Sequence, residues 1–595
     1  GHSGANRHRC GAVGGGTVIA SRLPVGVANF SRGRQWFVVG ILSLGMAVLL
    51  GRTFQVQILD SPRLQAEGAA RQLRSIAVKP ARGRIVDRNG DVLAVSTPLD
   101  AVWAHPPTLV QSVADRSRLA DALGMSVNQI DSLLDRYQDR EFVYLRRHLP
   151  PAEATRIESL GIAGVSSLRE YGRYYPAGPI TSHVLGFTDV DDRGQEGIER
   201  AFDNHLAGIE GRKRVLRDRK GRVVEDIESI RPVYHGRDLQ LSLDLRIQVS
   251  AQRHLAQAAH QHHAAGASAV MLDVQTGEVL AMANVPDFNP NKRSDISGER
   301  FRNRSVTDVF EPGSTVKPFT LSMALASGRF SLDTSVSTSP GIHYVGGWPI
   351  RDVHDYGELT LSGVLIKSSN IGTAKIAMEL APEKLYDILT KVGFGQPTGV
   401  ELPGEQGGSL LKRERWRPSE HATLSYGYGL SSTPVQLARA YSVLASGGIL
   451  RPVTLQRQHR PVAGQRVLSA HITRQINFLL EKVVSPQGTA RRAAVPAYRV
   501  AGKTGTVHKP SPTGGYEEDR YQSLFVGFAP ASAPRFVLAV MVDEPQGKHY
   551  GGEVAAPAFA RIMADALRMY GIRPDAGVDS GVTIVSHTVG KETGA

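Results

Sequence analysis

The sequence predicts an α/β catalytic unit joined to an elongated α+β segment and a single membrane-spanning helix, and three observations predict it. An uncharged apolar run of 16 residues, Trp36 to Gly51, stands near the start. Strand-length apolar segments occur in two distant places, around Ala267 to Ala283 and Tyr498 to Val542, with helix-length segments between them. Inside that span lie, in order, Ser314-Thr315-Val316-Lys317, Ser368-Ser369-Asn370 and Lys503-Thr504-Gly505-Thr506.

A chain of 595 residues has material for several structural units and a sizeable core. The apolar run is followed by Arg52 and the mixed segment Thr53 to Leu59. Sixteen residues fall short of the roughly 20 that cross a bilayer, but a helix continued to Leu59, with Arg52 reaching toward the headgroups, is long enough. A cleaved signal peptide or a buried core helix could carry the same run. No small-x-small cleavage site directly follows it, which favours an anchor over residues 36–58. The preceding residues 1–35 hold five cations, Arg7, Arg9, Arg22, Arg32 and Arg34, and no acid, so this tail stays in the cytoplasm and the bulk of the chain is exported. The sole cysteine, Cys10, lies in that tail, which rules out an internal disulfide.

Next, Asn89-Gly90 supplies a tight turn between Ile85/Val86 and Val92/Leu93, a hairpin of structural purpose. The stretch 59–235 is charged and broken by Gly and Pro, with helices expected near Arg116 to Arg136 and Pro151 to Leu160. It holds no pairing of nucleophile and base, so spacing and contact are its expected work.

From Asp238 the texture changes. Leu239 to Leu243 reads as a strand and Leu245 to His260 as an amphipathic helix. Ala267 to Asp273 and Glu278 to Ala283 read as a hairpin around Val274-Gln275-Thr276-Gly277, in a sheet with one face buried. Tyr498 to Thr506, Ser523 to Phe528 and Arg535 to Val542 give three more strands, then a helix from about Ala555 to Tyr570. Helices Phe310 to Gly328, Thr360 to Met378 and Pro434 to Ser446 fall between, so one discontinuous α/β unit, 236–573, holds all three motifs. Residues 574–595 read as a loose tail.

The formal charge is +14, from 70 basic and 56 acidic residues, and +9 without the tail's five arginines. No basic stripe with interleaved aromatics appears, which argues against nucleic acid as a partner and leaves a polyanionic or membrane neighbour open. His254, His260, His262 and His263 lack ordered carboxylate or thiol partners, so no metal is expected. No phosphate-binding loop or dinucleotide fingerprint is present, and no cofactor is expected.

The three motifs carry the chemistry. Proline is tolerated only in a helix's first turn, so Pro318 makes a helix start close to Ser314. The hydroxyl then sits at the positive end of the helix dipole, beside unpaired backbone N–H groups. Lys317 shares its face, and the apolar Phe319, Met323 and Leu325 bury that region. Desolvation lowers an ammonium's pKa, as a lysine that accepts the serine proton requires. Ser368 can relay a proton and the Asn370 amide can hold Lys317 and a substrate carbonyl. The Lys503-Thr504-Gly505-Thr506 edge can accept a peptide by strand addition, with Gly505 admitting a close backbone and the N–H groups of Ser314 and Thr506 forming an oxyanion hole. Lys503 with the Thr504 and Thr506 hydroxyls can attract a substrate carboxylate.

This Ser-x-x-Lys, Ser-x-Asn, Lys-Thr-Gly set resembles that of penicillin-binding proteins and class A β-lactamases. Arg82 to Ala94, Arg173-Tyr174-Tyr175-Pro176-Ala177-Gly178, Gly194 to Glu199, Phe310 to Pro318, Ser425 to Leu430 and Gly551 to Pro557 extend the resemblance to class B penicillin-binding proteins of the division type, over about Arg34 to Pro574. The resemblance implies a penicilloyl-serine transferase fold with helices around a mainly antiparallel sheet, a pedestal of dimerisation type at 59–235, and a transpeptidase domain in the periplasm behind a single-pass inner-membrane anchor. It implies that a D-Ala-D-Ala stem peptide of peptidoglycan acylates Ser314 and releases D-alanine, that an amine of a neighbouring strand resolves the acyl-enzyme, and that β-lactams trap Ser314. It further implies that Tyr428 lines the acyl pocket, that Arg173 and Glu196 belong to the pedestal's activation relay, and that a membrane-embedded glycosyltransferase and other division proteins are partners. Ser368-Ser369-Asn370 stands where class A β-lactamases carry Ser-Asp-Asn, and no glutamate is placed like their deacylating base. An elongation-type enzyme, a β-lactam hydrolase or carboxypeptidase, and a non-catalytic scaffold or sensor are the competing readings.

Overall fold

The computed structural model describes residues 32–64, 73–217, 223–292, 298–410, 416–511 and 514–577. The basic tail with Cys10 and most of the C-terminal stretch expected to be loose lie outside the described residues. The chain divides into two units, 1–74 with 216–219, and 75–215 with 220–595.

In the first unit, helix α1 (Arg32–Phe54) runs on through a π-helical turn, Gln55–Leu59. Together they give a span of 27 residues, Gly33–Leu59, longer than the apolar run alone and sufficient by length and composition to cross a bilayer.

The second unit begins with the expected hairpin, β1 (Ile85–Val86) and β2 (Val92–Ala104), turned at Gly90, which sits at φ +96°. Strand β2 pairs on one edge with β3 (Val143–Leu149) and with β4 (Val165–Tyr174) on the other. The single helix expected over Arg116 to Arg136 is two, α2 (Val113–Leu123) and α3 (Val127–Arg136). Gly124, left-handed at φ +63°, ends the first, and the Ser126/Gln129 capping box starts the second. These helices and α4 (Pro151–Glu158) close a small separate core around Leu119, Ile130, Leu134 and Ile157.

The pedestal segment is stitched to the catalytic unit by backbone. Strand β1 pairs in parallel with β5 (Leu239–Gln240), Arg88 N–H donates to Leu243 O (2.9 Å), and the Asp87 carboxylate accepts the Leu245 N–H (3.1 Å) at the start of α5 (Leu245–Gln261).

A five-stranded antiparallel sheet forms the centre of the catalytic unit. Its order is β7 (Val279–Val285), β6 (Gly266–Asp273), β10 (Phe536–Asp543), β9 (Tyr516–Ala529) and β8 (Ala501–Pro510). The two chain ends meet where β6 pairs with β10, Val270 opposite Ala539. The expectation of one buried face fails here: every residue of β6 and β10 is buried. Helices α5 and α11 (Gly551–Met569) pack on the sheet, as does α9 (Pro434–Ala445), which is buried along its whole length. A near-continuous apolar strand is what burial on both faces requires. Between β7 and β8 lie α6 (Lys317–Ala326), α7 (Leu361–Lys367) and α8 (Asn370–Met378), which flank the first two motifs, and α10 (Ala470–Val484).

Candidate active site

Gly313 adopts φ +52°, and a 3-10 turn, Gly313–Val316, leads into α6, with Pro318 in its first turn as the sequence requires. The turn is clamped from two sides. Gly313 N–H donates to Gly427 O (3.0 Å), an approach possible only because Gly427 has no side chain; a Cβ there would lie 2.0 Å from Gly313 O. The fully buried Tyr441 donates its hydroxyl to Thr315 O (2.8 Å). Ser314, held between these clamps, is half-buried and faces a cleft of about 680 Å³.

The single helix expected over Thr360 to Met378 is broken at Ser368, which is left-handed at φ +62°. A non-glycine residue in that conformation costs roughly 1 kcal/mol or more, and such outliers persist where surrounding contacts hold them. Here the break turns both oxygens of Ser368 toward Lys317, whose Nζ donates to Ser368 O (2.5 Å), Ser368 Oγ (3.2 Å) and Asn370 Oδ1 (2.7 Å). Asn370 is itself fixed, its amide nitrogen donating to Arg351 O (3.0 Å).

Lys503 Nζ donates to the same Ser368 Oγ (2.9 Å) and to Thr504 O (3.3 Å). One hydroxyl thus bridges two lysine amines, and both lysines are fully buried. Burial, then the neighbouring Lys503 charge, hold the Lys317 amine well below the ordinary lysine range, with Asp352 opposing. Burial pulls Lys503 down to about 7. Among the described residues Ser314 Oγ makes no hydrogen bond; Lys317 points at Ser368 and Asn370 instead.

Thr504, Thr506 and Tyr428 line the cleft with Ser314, Ser368 and Asn370. Two expectations change. Lys503 was expected to meet a substrate carboxylate, but the amine lies beneath the cleft and reaches it through Ser368 Oγ. Gly505 was expected to admit a backbone; a Cβ there would instead press on the side chains of Leu524 (3.0 Å) and Thr315 (3.1 Å), so the missing side chain seats the strand against the residue after Ser314. The close backbone approach belongs to Gly551, where a Cβ would lie 2.4 Å from Gly505 O. Gly551 N–H donates to Thr506 Oγ1 (3.0 Å), which ties α11 to the strand edge.

Sequence reasoning missed four residues. Asp352 accepts from Ser369 Oγ (2.5 Å), Asn370 N–H (2.5 Å) and Ile371 N–H (3.1 Å), capping α8 and fixing Asn370. Glu311 accepts from Gly429 N–H (2.7 Å) and Tyr516 Oη (2.9 Å), and burial raises its pKa. The Tyr516 ring stands edge-on to Tyr428, 5.8 Å between centroids. Thr489 Oγ1 lies 3.1 Å from Thr504 Oγ1. Only Glu311 had a visible signal, its place in Glu311-Pro312-Gly313. In the pedestal, Arg173 pairs with Glu199 (2.6 Å).

Residues 267–564 match the penicillin binding protein transpeptidase domain, and residues 77–241 the penicillin-binding protein dimerisation domain. The chain is 43% identical over 555 residues to the peptidoglycan D,D-transpeptidase FtsI of Escherichia coli (strain K12), covering 92% of this chain and 94% of that one. It is 40% identical over 544 residues to the probable peptidoglycan D,D-transpeptidase PbpC of Pseudomonas aeruginosa, covering 91% and 96%. The structure of penicillin-binding protein 3 from Mycobacterium tuberculosis complexed with aztreonam matches with a TM-score of 0.66 at 30% identity, over 84% of this chain and 98% of that one.

Proposed function

The chain belongs to the penicillin-binding proteins, as a class B transpeptidase of the division type, and on that premise we propose that Ser314 is the acylated nucleophile through which it crosslinks peptidoglycan stem peptides at the septum. The observation that carries the assignment is the pair of buried lysine amines that meet at Ser368 Oγ, beneath the cleft that Ser314 and Ser368 line.

These positions set the chemistry. An amine held neutral by burial accepts the Ser314 proton as Oγ attacks the penultimate carbonyl of a D-Ala-D-Ala terminus. The oxyanion is received by the N–H groups of Ser314 and Thr506. When the tetrahedral centre collapses, the C–N bond breaks and the departing D-alanine amine takes its proton from Lys317 by way of Ser368 Oγ. Asn370 keeps Lys317 aligned, Thr504 and Thr506 meet the terminal carboxylate, Tyr428 packs on the acyl group, and Lys503 acts on the cleft from below. A β-lactam presents a carbonyl and a carboxylate at similar spacing and stops at the ester.

The reading extends to the rest of the chain: a cytoplasmic tail 1–35, an inner-membrane anchor 36–58, a pedestal 59–235 and a catalytic domain 236–573 in the periplasm, beside a membrane-embedded glycosyltransferase and other division proteins. The similarity to FtsI favours division over elongation. The enzymatic reading also fits better than a scaffold, since left-handed Ser368 holds its hydroxyl between two buried amines that burial drives toward the neutral form, an arrangement suited to moving a proton.

Labelled penicillin tests the assignment. Mass spectrometry should place one adduct on Ser314, absent from Ser314→Ala, and the adduct should last many minutes. An adduct elsewhere removes the assignment, and release within seconds makes the protein a hydrolase.

A further inference from the structure

In the second unit the large apolar side chains most open to solvent are not scattered. Among the described residues there, Trp348 and Val353 are the most exposed, at 69% and 70%, and Tyr344 stands at 62%. All three lie on, or two residues after, the hairpin that pairs Ile342–Val345 with Trp348–Arg351. Isolated exposed apolar residues need no explanation, whereas a cluster marks a contact surface.

The hairpin is rigidly mounted. Gly346 and Gly347, at φ +57° and +85°, close a two-residue turn that sets Val345 opposite Trp348. Val345 and Ile350 are buried in a small core of their own, with Ile371 and Ala374 of α8 and with Ala422 and Tyr426. At the tip, Trp348 and Pro349 wall a pocket of about 250 Å³ against the helix Pro418–Ser425, whose Ser419, Glu420 and Thr423 line the other side. No cation lines it. The Ser419 hydroxyl makes no hydrogen bond among the described residues. The pocket adjoins the catalytic cleft: Tyr426 in its wall stands edge-on to Tyr428, 5.7 Å between centroids, and Tyr428 lines the cleft with Ser314. From the hairpin's last residue the chain runs straight into that cleft, Arg351 O accepting the Asn370 amide and Val353 lining the same space as Ser314.

We propose that this hairpin pocket is a glycan subsite, which holds the chain of N-acetylated hexosamines from which the donor stem peptide hangs. The inference rests on the transpeptidase reading of Ser314 and deepens it. A peptide extends by about 3.3 Å per residue, so a reacting carbonyl at Ser314 leaves its glycan one short stem away, outside the cleft and beside it. The lining suits such a chain. A sugar ring lays a face of polarised C–H bonds on the negative face of an aromatic ring, here Trp348, and turns its hydroxyl and acetamido groups toward Ser419, Thr423 and the Glu420 carboxylate. With one carboxylate and no cation, the pocket repels the carboxylates of a free peptide or an acidic partner and accepts a neutral, hydroxyl-rich ligand.

The test uses the purified full-length protein and two donors, a glycan chain bearing its stem peptides and a small thioester that mimics the stem's terminus alone. Trp348→Ala should slow D-alanine release from the glycan-borne donor about tenfold, the scale of losing one anchoring aromatic contact. Thioester turnover and acylation by labelled penicillin should stay within about twofold of the unsubstituted protein, and Trp348→Phe should recover most of the loss. A hexamer of N-acetylglucosamine should compete with the glycan-borne donor and not with the thioester, and Trp348→Ala should abolish that competition. Equal losses with both donors make the hairpin a support for Asn370 and overturn the subsite. Unchanged turnover of the glycan-borne donor in Trp348→Ala overturns it as well, and a division defect in cells beside that result assigns the face to a protein partner. Failure of the unsubstituted protein to acylate at Ser314 removes the transpeptidase reading, and this inference with it.

Discussion

Two clusters of buried charge, one at the base of the pedestal and one under the cleft, are built on opposite principles. At the pedestal base Arg82 and Arg173 share Glu199, each Nε at 2.6 Å from the carboxylate, and Arg82 also reaches Asp203 at 2.7 Å. Burial works against the Arg82 charge, but Glu199 and Asp203 outweigh it and raise its pKa. Under the cleft, Lys317 and Lys503 are as deeply buried, yet among the described residues neither makes an ion pair, and both are driven toward the neutral amine. A cation buried with carboxylates is a fixed joint, whereas a cation buried without them becomes a base.

The sharpest way to break this contrast is to make each site apolar or uncharged in turn. Lys317→Met should lower the rate of acylation by labelled penicillin about 10³ to 10⁴-fold, the scale of a positioned general base. Denaturant unfolding should show a loss of no more than about 1–2 kcal/mol, because the apolar side chain removes a buried amine that has no counter-charge but leaves its acceptors, Ser368 O and Asn370 Oδ1, unfilled. Glu199→Gln should do the reverse. It takes the carboxylate from Arg173 and leaves Arg82 with Asp203 alone, and the unfolding free energy should drop by about 3–5 kcal/mol. A marginal loss there, or a large one at Lys317, would mean that the two clusters are not different in kind.

pH sharpens the same contrast. Lys317 accepts a proton only when unprotonated, so acylation should be fully present above its folded pKa, which burial holds well below the ordinary lysine range, and be lost about tenfold per unit as pH falls through it. Stability moves with the same groups. An unfolded lysine holds its proton up to about 10.4, so between roughly 7 and that value the unfolded chain binds more protons and stability rises with pH. Glu170 in the pedestal behaves otherwise. Burial alone would raise Glu170, but hydrogen bonds from Arg147 and Lys79 lower it, so its contribution is present above the ordinary carboxylate pKa and lost only in acid. Acylation rates and unfolding curves between pH 5 and 9 read both; a flat acylation profile would remove the lysines from the chemistry.

How much of this was legible in the sequence divides along similar lines. Ser314 and Lys317 could be read because their relation is local, fixed by Pro318 and one helical turn. The two-ended sheet could be read because apolar strands announce themselves, although both of its faces are covered by helices that no strand pattern reveals. A helix boundary near Ser368 was legible in the cap-forming Ser368-Ser369-Asn370, but the left-handed Ser368 was not, since it depends on tertiary contacts with Lys317 and Asp352. Asp352 caps a helix that begins 18 residues later, and Tyr516 meets Glu311 from 205 residues away. Such pairings exist only after loops are placed. Lys503 could be identified but not oriented, because Lys-Thr-Gly fixes residue types and leaves open whether the amine faces the solvent or Ser368.

The smallest expected effect lies where the two principles meet. Glu311 is a carboxylate raised by burial with no ion pair among the described residues, held by the Gly429 N–H and the Tyr516 hydroxyl. It resembles the lysines in lacking a counter-charge and the pedestal in having its acceptor sites filled. Tyr516→Phe removes one neutral donor from a half-exposed ring and leaves the edge-on contact with Tyr428 intact. A hydrogen bond to a charged group is worth about 1.5–3 kcal/mol when buried and less at an edge open to water. Because that bond fastens the β8–β9 hairpin to the loop before Ser314 without touching the reacting atoms, most of its loss should appear in the hairpin's mobility. Labelled-penicillin acylation should therefore slow by no more than about threefold, with amide exchange around Tyr516 rising. A hundredfold loss of acylation with unchanged exchange would instead put Tyr516 and Glu311 among the groups that move protons, and an uncompensated buried carboxylate would then join the two lysines as part of the chemistry.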